Sequence, residues 1–248
     1  MHYKTLKKTT MKTTRFILIS VLIFAVVLSS CKKDKDTDPG IKPPVEIIPA
    51  DNDPVTGIVT GTIAEADFDE LQSTSEVSLN RIPHSLAKFL ELRNQIAHTP
   101  QGAAVMMLVA MRIYQQYPIE GMKCLTAAST SPLIVPATND AGNYEGYVMG
   151  NISELKRKLT DYSYLPFVYF EGASPANNYT PAAPPYIVNL LVNQYSYMSA
   201  GDGSTRIKVF VRTLGADSPR PVVVRKIGDY YRVTEYSSLY LAPKPPSN

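Results

Sequence analysis

An α+β fold is predicted by three features of the chain. Its first half carries apolar residues at helical spacing, and its second half carries strand-like runs rich in Ile, Val, Leu and Tyr. The pair Gly228-Asp229 separates the last two runs in the manner of a tight hairpin. Helices first and antiparallel strands later imply a helical N-terminal half packed on one face of a C-terminal antiparallel sheet.

The elements follow in order. Gly57 to Ala64 reads as a short strand, and Asp67 to Leu71 as the opening of a short helix. Leu86, Phe89, Leu90, Leu92 and Ile96 place a helix over Ser85 to Ile96. Thr99 is a natural N-cap, and Pro100 suits the first helical position because its missing N–H costs nothing there. The unbroken apolar run Ala103 to Met111 marks that helix as buried on all sides. Pro118 ends it, and Ile119 to Ala128 reads as another short helix. Asn151 with Glu154 resembles a capping box opening Ile152 to Tyr162. Beyond it, Tyr186 to Tyr197, Arg206 to Arg212, Val222 to Ile227 and Tyr230 to Tyr240 read as strands. A cone-shaped sheet of the NTF2-like kind is one candidate, its last hairpin corresponding to Val224 to Tyr236; such a fold analogy carries no function.

Residues 1–30 read as an export signal rather than part of the fold. Lys12 and Arg15 precede the apolar run Phe16 to Val27, broken only by Ser20. That run is shorter than the ~20 residues of a spanning helix. Leu28-Ser29-Ser30-Cys31 resembles a lipobox, which implies cleavage before Cys31 and lipidation of its sulfur. Met11 stands where the signal begins, so Met1 to Thr10 reads as upstream of the true start; both Met1 and Met11 stay open. The mixed-charge run Lys32 to Asp38 resembles a tag for export to the cell surface. Lys32, rather than Asp, follows the cysteine, which points to the outer membrane with the outward face expected. Residues 31–53 are rich in Lys, Asp and Pro and read as a disordered tether. Residues 54–248 read as one domain, a size that can bury its own core.

Composition excludes several function classes. Removing residues 1–30 takes away Lys4, Lys7, Lys8, Lys12 and Arg15 and no acid. The 25 basic residues then fall to 20 against 22 acidic ones, and the net charge of +3 becomes −2. Nucleic-acid binding, which needs a basic face, is not expected. With Cys31 lipidated, Cys124 has no disulfide partner, and it lies in an apolar helical stretch where a thiol behaves as a small core residue. His84 and His98 lack metal-ligand spacing, so no metal and no cofactor is expected. The 16 tyrosines read mainly as strand formers over a core, with sugar or protein binding as the alternative.

Three stretches carry a resemblance. They are Tyr169-Phe170-Glu171-Gly172-Ala173-Ser174-Pro175-Ala176-Asn177-Asn178-Tyr179-Thr180-Pro181, Gly215-Ala216-Asp217-Ser218-Pro219-Arg220-Pro221, and Glu235-Tyr236-Ser237-Ser238-Leu239. Together they resemble an uncharacterised bacterial domain of unknown function over roughly Ala103 to Leu241. That family implies no catalytic residues. The stretch Thr130 to Tyr147 departs from it as an insert.

Candidate ligand-binding residues are Arg220, Glu171, Glu235 and Tyr236. Pro219 and Pro221 fix the backbone around Arg220, which suits either an anion clamp or an ion pair with Asp217 or Glu235. Glu171 and Glu235 are a carboxylate pair of the kind glycoside hydrolysis uses, provided they lie about 5–10 Å apart. No Gly-x-Ser-x-Gly elbow, Gly-rich phosphate loop or His-Glu-x-x-His motif is present. The expected protein is therefore a lipid-anchored outer-membrane protein with a non-enzymatic domain. It would bind or scaffold a glycan, a peptide or another envelope protein. The alternative is a carboxylate hydrolase of envelope or dietary polysaccharide.

Overall fold

A computed structural model describes residues 46–61, 63, 73–199 and 205–247. The signal-like segment, Cys31, the run Lys32 to Asp38 and the helix expected at Asp67 to Leu71 lie outside them. Among the described residues four helices pack against one curled antiparallel sheet, so the fold class is α+β as the periodicities require. The helices are α1 (Leu86–Ile96), α2 (Pro100–Gln116), α3 (Pro118–Ala128) and α4 (Ser153–Asp161). The strands are β1 (Gly57–Thr60), β2 (Ser73–Leu79), β3 (Ile134–Pro136), β4 (Tyr147–Met149), β5 (Tyr186–Val192), β6 (Tyr197–Ser199), β7 (Thr205–Val211), β8 (Arg220–Ile227) and β9 (Tyr230–Glu235). The main sheet runs β1-β2-β5-β7-β8-β9, with β6 on the start of β7, while β3 and β4 form a separate pair.

Helix α2 is the centre of the core. Thr99 caps it by accepting from the Gly102 N–H at 3.1 Å, and Pro100 holds the first turn. Every residue from Pro100 to Met111 is buried. Helices α1 and α3 flank α2, and β2, β7, β8 and β9 lie against it. Helices α2 and α3 cross so closely at Gly121 that a Cβ there would stand 2.0 Å from Tyr114 Cα. The sheet curls until both of its edges meet the end of α1. At one edge the Gly57 N–H donates to Gln95 Oε1 at 3.0 Å, and at the other the Tyr231 N–H donates to Ala97 O at 2.8 Å.

Alternation along the strands divides the sheet faces. Val77, Val188, Leu190, Val209, Val211, Val222, Val224 and Val233 point to the helices and are buried. Glu76, Asn189, Phe210 and Arg225 alternate with them on the other face.

The structure changes three expectations. The sheet is not confined to the C-terminal half, because β1 and β2 belong to it. In Ser-Thr-Ser-Glu-Val-Ser-Leu only Val77 and Leu79 are apolar and inward-facing, which hides the strand behind turn-like residues. Asn151 does not cap α4 through a capping box. It lies one residue too early and accepts from the Ser153 N–H at 3.0 Å, while Glu154 pairs with Arg157. Finally, residues 46–53, expected in the tether, make specific contacts. Glu46 accepts from the Ile119 and Glu120 N–H groups at 3.0 and 2.8 Å, capping the otherwise uncapped α3. Asp51 accepts from the N–H groups of His84 and Ser85 at 2.9 and 3.0 Å, just ahead of α1.

Candidate functional site

The first and second of the resembling stretches meet across an open cleft of about 590 Å³. Residues 168–173 form one wall and residues 212–219 the other, with Asn189 and Leu191 of β5 at the base. The polar side chains available to a ligand are Glu171, Asn189, Arg212, Thr213, Asp217 and Ser218. Leu214, 60% exposed, adds an apolar rim.

The first wall is held by its own backbone. The Glu171 N–H donates to Ile187 O at 2.8 Å, and Glu171 O accepts from the Ala182 N–H at 2.9 Å. Gly172 adopts φ +82°, and a Cβ there would lie 2.8 Å from Ala182 N, so both conformation and space require glycine. Asn177 closes the loop that follows, its Nδ2 donating to Gly172 O at 2.8 Å and Thr180 O at 3.0 Å. Its Oδ1 accepts from the Ser174 N–H at 2.9 Å, completing a capping box around Pro175–Asn177. Tyr179, at φ 56°, stacks on Tyr164 with ring centroids 4.9 Å apart and donates its hydroxyl to Lys244 O at 2.8 Å.

The second wall is tied to the first and to the C-terminal tail. Thr213 donates its hydroxyl to Val168 O at 2.7 Å and accepts from the Gly215 N–H at 2.9 Å. Gly215 O accepts from the Lys244 N–H at 2.8 Å, and the Lys244 ammonium pairs with Asp217 at 2.5 Å. That hydrogen bond and the ammonium charge hold the Asp217 carboxyl below its ordinary range. Beneath the cleft the buried Tyr169 hydroxyl donates to Leu239 O at 2.7 Å, and burial pushes its pKa up. Leu239 belongs to the third resembling stretch, which therefore supports the site from below.

Of the four candidate residues, Glu171 alone lines this cleft. Its carboxylate accepts weakly from Asn189 Nδ2 at 3.4 Å. Arg220 opens β8 opposite Val211, on the helix-facing side of the sheet and close enough to Tyr169 to act on its ionisation. It forms no ion pair with Asp217, which Lys244 takes, nor with Glu235. Glu235 lies opposite Val223 on the other sheet face, exposed and away from the cleft, so Glu171 and Glu235 do not face each other. Tyr236 is a core residue, 5% exposed, edge-on to Tyr240, with its pKa raised by burial. Sequence reasoning missed Asn189, Arg212 and Thr213. The polar Asn189 interrupting the apolar run Tyr186 to Val192 was the signal that could have found the first.

Cys124 is buried and free, and burial pushes its thiol pKa well up, as a core residue requires. Among the described residues no group of His, Cys, Asp or Glu is placed to hold a metal ion, and no helix is long and apolar enough to cross a membrane.

The class defined by these observations is an α+β domain with one polar, hydrogen-bonded cleft beside the sheet. Residues 81–247 match the family described as Domain of unknown function (DUF6935), and the chain belongs to that family. The match begins before the expected Ala103, taking in α1, and it includes the stretch Thr130 to Tyr147, which contains β3 and the start of β4. No curated protein and no solved structure matches the chain.

Proposed function

We propose that this chain is a lipid-anchored outer-membrane protein whose domain binds a polar ligand, a glycan or a peptide, in the cleft between residues 168–173 and 212–219, without turning it over. The carrying observation is how the two cleft carboxylates are placed. A glycosidase needs one carboxyl raised enough to hold a proton at working pH. Asp217 is instead held ionised by Lys244, and Glu171 has Glu235 nowhere near it. The remaining groups, the Asn189 amide, the Arg212 guanidinium and the Ser218 hydroxyl, offer donors and acceptors on walls held by hydrogen bonds, which suits recognition.

Anchoring rests on the lipobox-like Leu28-Ser29-Ser30-Cys31 and the run Lys32 to Asp38. Several acyl chains carried on Cys31 would hold the chain in the membrane, since one alone binds only marginally. Cell fractionation of Cys31→Ala tests this part: release into the soluble fraction is expected, and retention in the membrane would refute it. For the cleft, a panel of glycans and peptides is tested for binding to the full chain and to Glu171→Gln/Arg212→Gln. Binding by the wild type that the double variant loses is expected. Recovery of a cleaved ligand would refute the non-enzymatic reading and favour the hydrolase.

A further inference from the structure

A second site lies at the β9 edge of the sheet, where residues of β3, β4 and β9 line one cavity. We propose that the cavity around Arg232 binds the carboxylate of an acidic sugar, a uronic acid, with Tyr147 as the platform for the sugar ring. This site is independent of the cleft described above.

The cavity has a volume of about 350 Å³ and is lined by Thr126, Thr130, Ser131, Ile134, Tyr144, Glu145, Tyr147 and Arg232. Arg232 supplies the charge. Its side chain is only 21% exposed, and its Nε is buried without a hydrogen-bond partner. The nearest carboxylate oxygen, Glu145 Oε2, stands 3.9 Å from Nη2, too far for a hydrogen bond. The planar fork of a partly buried guanidinium matches a carboxylate.

The surroundings add positive potential. Arg93 of α1 donates to the Tyr144 hydroxyl at 3.0 Å and lies over the Tyr230 ring at 4.9 Å.

Glu145 is the opposing group and argues for a monoanion over phosphate. It occupies the first central position of the tight turn Tyr144–Tyr147 at φ 52°, followed by Gly146 at φ 82°. A two-residue turn of this kind requires positive φ at both central positions, and it fixes where the Glu145 side chain starts. From there its carboxylate occupies, at long range, the place a ligand carboxylate would take. A dianionic phosphate would meet its repulsion more strongly than a carboxylate would. Tyr147, 46% exposed at the rim, presents an aromatic face of the kind that packs on sugar rings.

The test is calorimetry of the full chain in detergent with an oligogalacturonate, its methyl ester and inorganic phosphate. The acid is expected to bind at least tenfold more tightly than the ester, and phosphate more weakly than the acid. Arg232→Gln is expected to lose at least tenfold, Tyr147→Ala several-fold, and Glu145→Gln to gain several-fold because the competing carboxylate is gone. Equal binding of acid and ester, tighter binding of phosphate, or no binding of the acid would overturn the proposal. Should Arg232→Gln fail to fold, Glu145→Gln and Tyr147→Ala on the exposed turn decide it: unchanged affinity in both overturns it.

Discussion

Asp51 offers a sharp test of where the folded unit begins. Its side chain is 3% exposed and meets five groups: the N–H groups of His84 and Ser85, the Ser85 hydroxyl at 3.0 Å, the His84 ring at 3.7 Å, and Arg81 Nη1, which approaches Oδ1 to 2.6 Å off the hydrogen-bond line. Burial raises its pKa, but the His84 N–H, Arg81 and the two Ser85 donors outweigh that, and the net shift is downward. Replacing Asp51 by Ala leaves two backbone donors without their acceptor and removes the counter-ion of Arg81, which keeps Asp53 O and Pro54 O as acceptors. Breaking a buried pair costs about 3–5 kcal/mol, and with Arg81 partly solvated the expected loss is about 2–4 kcal/mol. Asp51→Asn keeps an acceptor and is expected to lose about 1–2 kcal/mol. Because the folded pKa is depressed, this stability is present above the unfolded value near 3.8 and is lost as pH falls through the lower folded value. Urea denaturation at pH 7 and pH 3 reads both effects, and the gap between wild type and Asp51→Ala should narrow at the lower pH. A difference below about 0.5 kcal/mol at pH 7, within the range of ordinary surface substitutions, would refute the reasoning.

Three further outcomes follow from the packing. Gly121→Ala places a methyl 2.0 Å from Tyr114 Cα and is expected to cost well over the ~1–3 kcal/mol of ordinary overpacking, seen as loss of cooperative unfolding by circular dichroism. Tyr169→Phe removes the buried bond to Leu239 O and leaves that carbonyl unpaired, for an expected loss of about 1–3 kcal/mol in urea titration. Cys124 is expected to resist alkylation at pH 8 until denaturant unfolds the chain, since burial both hides it and disfavours its thiolate; fast labelling of the native chain would contradict this.

Much of the fold was legible because its signals are local. Thr99-Pro100, the apolar run of α2 and the Gly228-Asp229 turn each encode their element within a few residues. Strand β2 was not legible, since its inward positions include Ser75 and its pairing with β5 joins residues more than a hundred positions apart. The docking of Glu46 and Asp51 was equally hidden: acids among prolines read as tether until the helix starts they cap are placed beside them. The cleft was half legible. The two stretches that form its walls stood out in the sequence, but their meeting depends on β5 and β7 bringing Asn189 and Arg212 together, with the Arg212 N–H donating to Asn189 O at 2.9 Å. Arg220 and Glu235 stood out equally and belong elsewhere, because strand register sends them to opposite faces of the sheet.

The central claim is that the cleft binds without catalysis. A thermal-shift screen of the full chain against glycans and peptides, followed by mass analysis of the recovered ligand, tests it most directly. A ligand at a hundred times its dissociation constant adds about 2.7 kcal/mol to stability, which for a domain of this size is roughly a 5–11 °C rise in Tm. Such a rise is expected for at least one ligand, with its loss in Glu171→Gln/Arg212→Gln and intact ligand at the end. A rise that survives the double variant, or a ligand recovered in pieces, would contradict it.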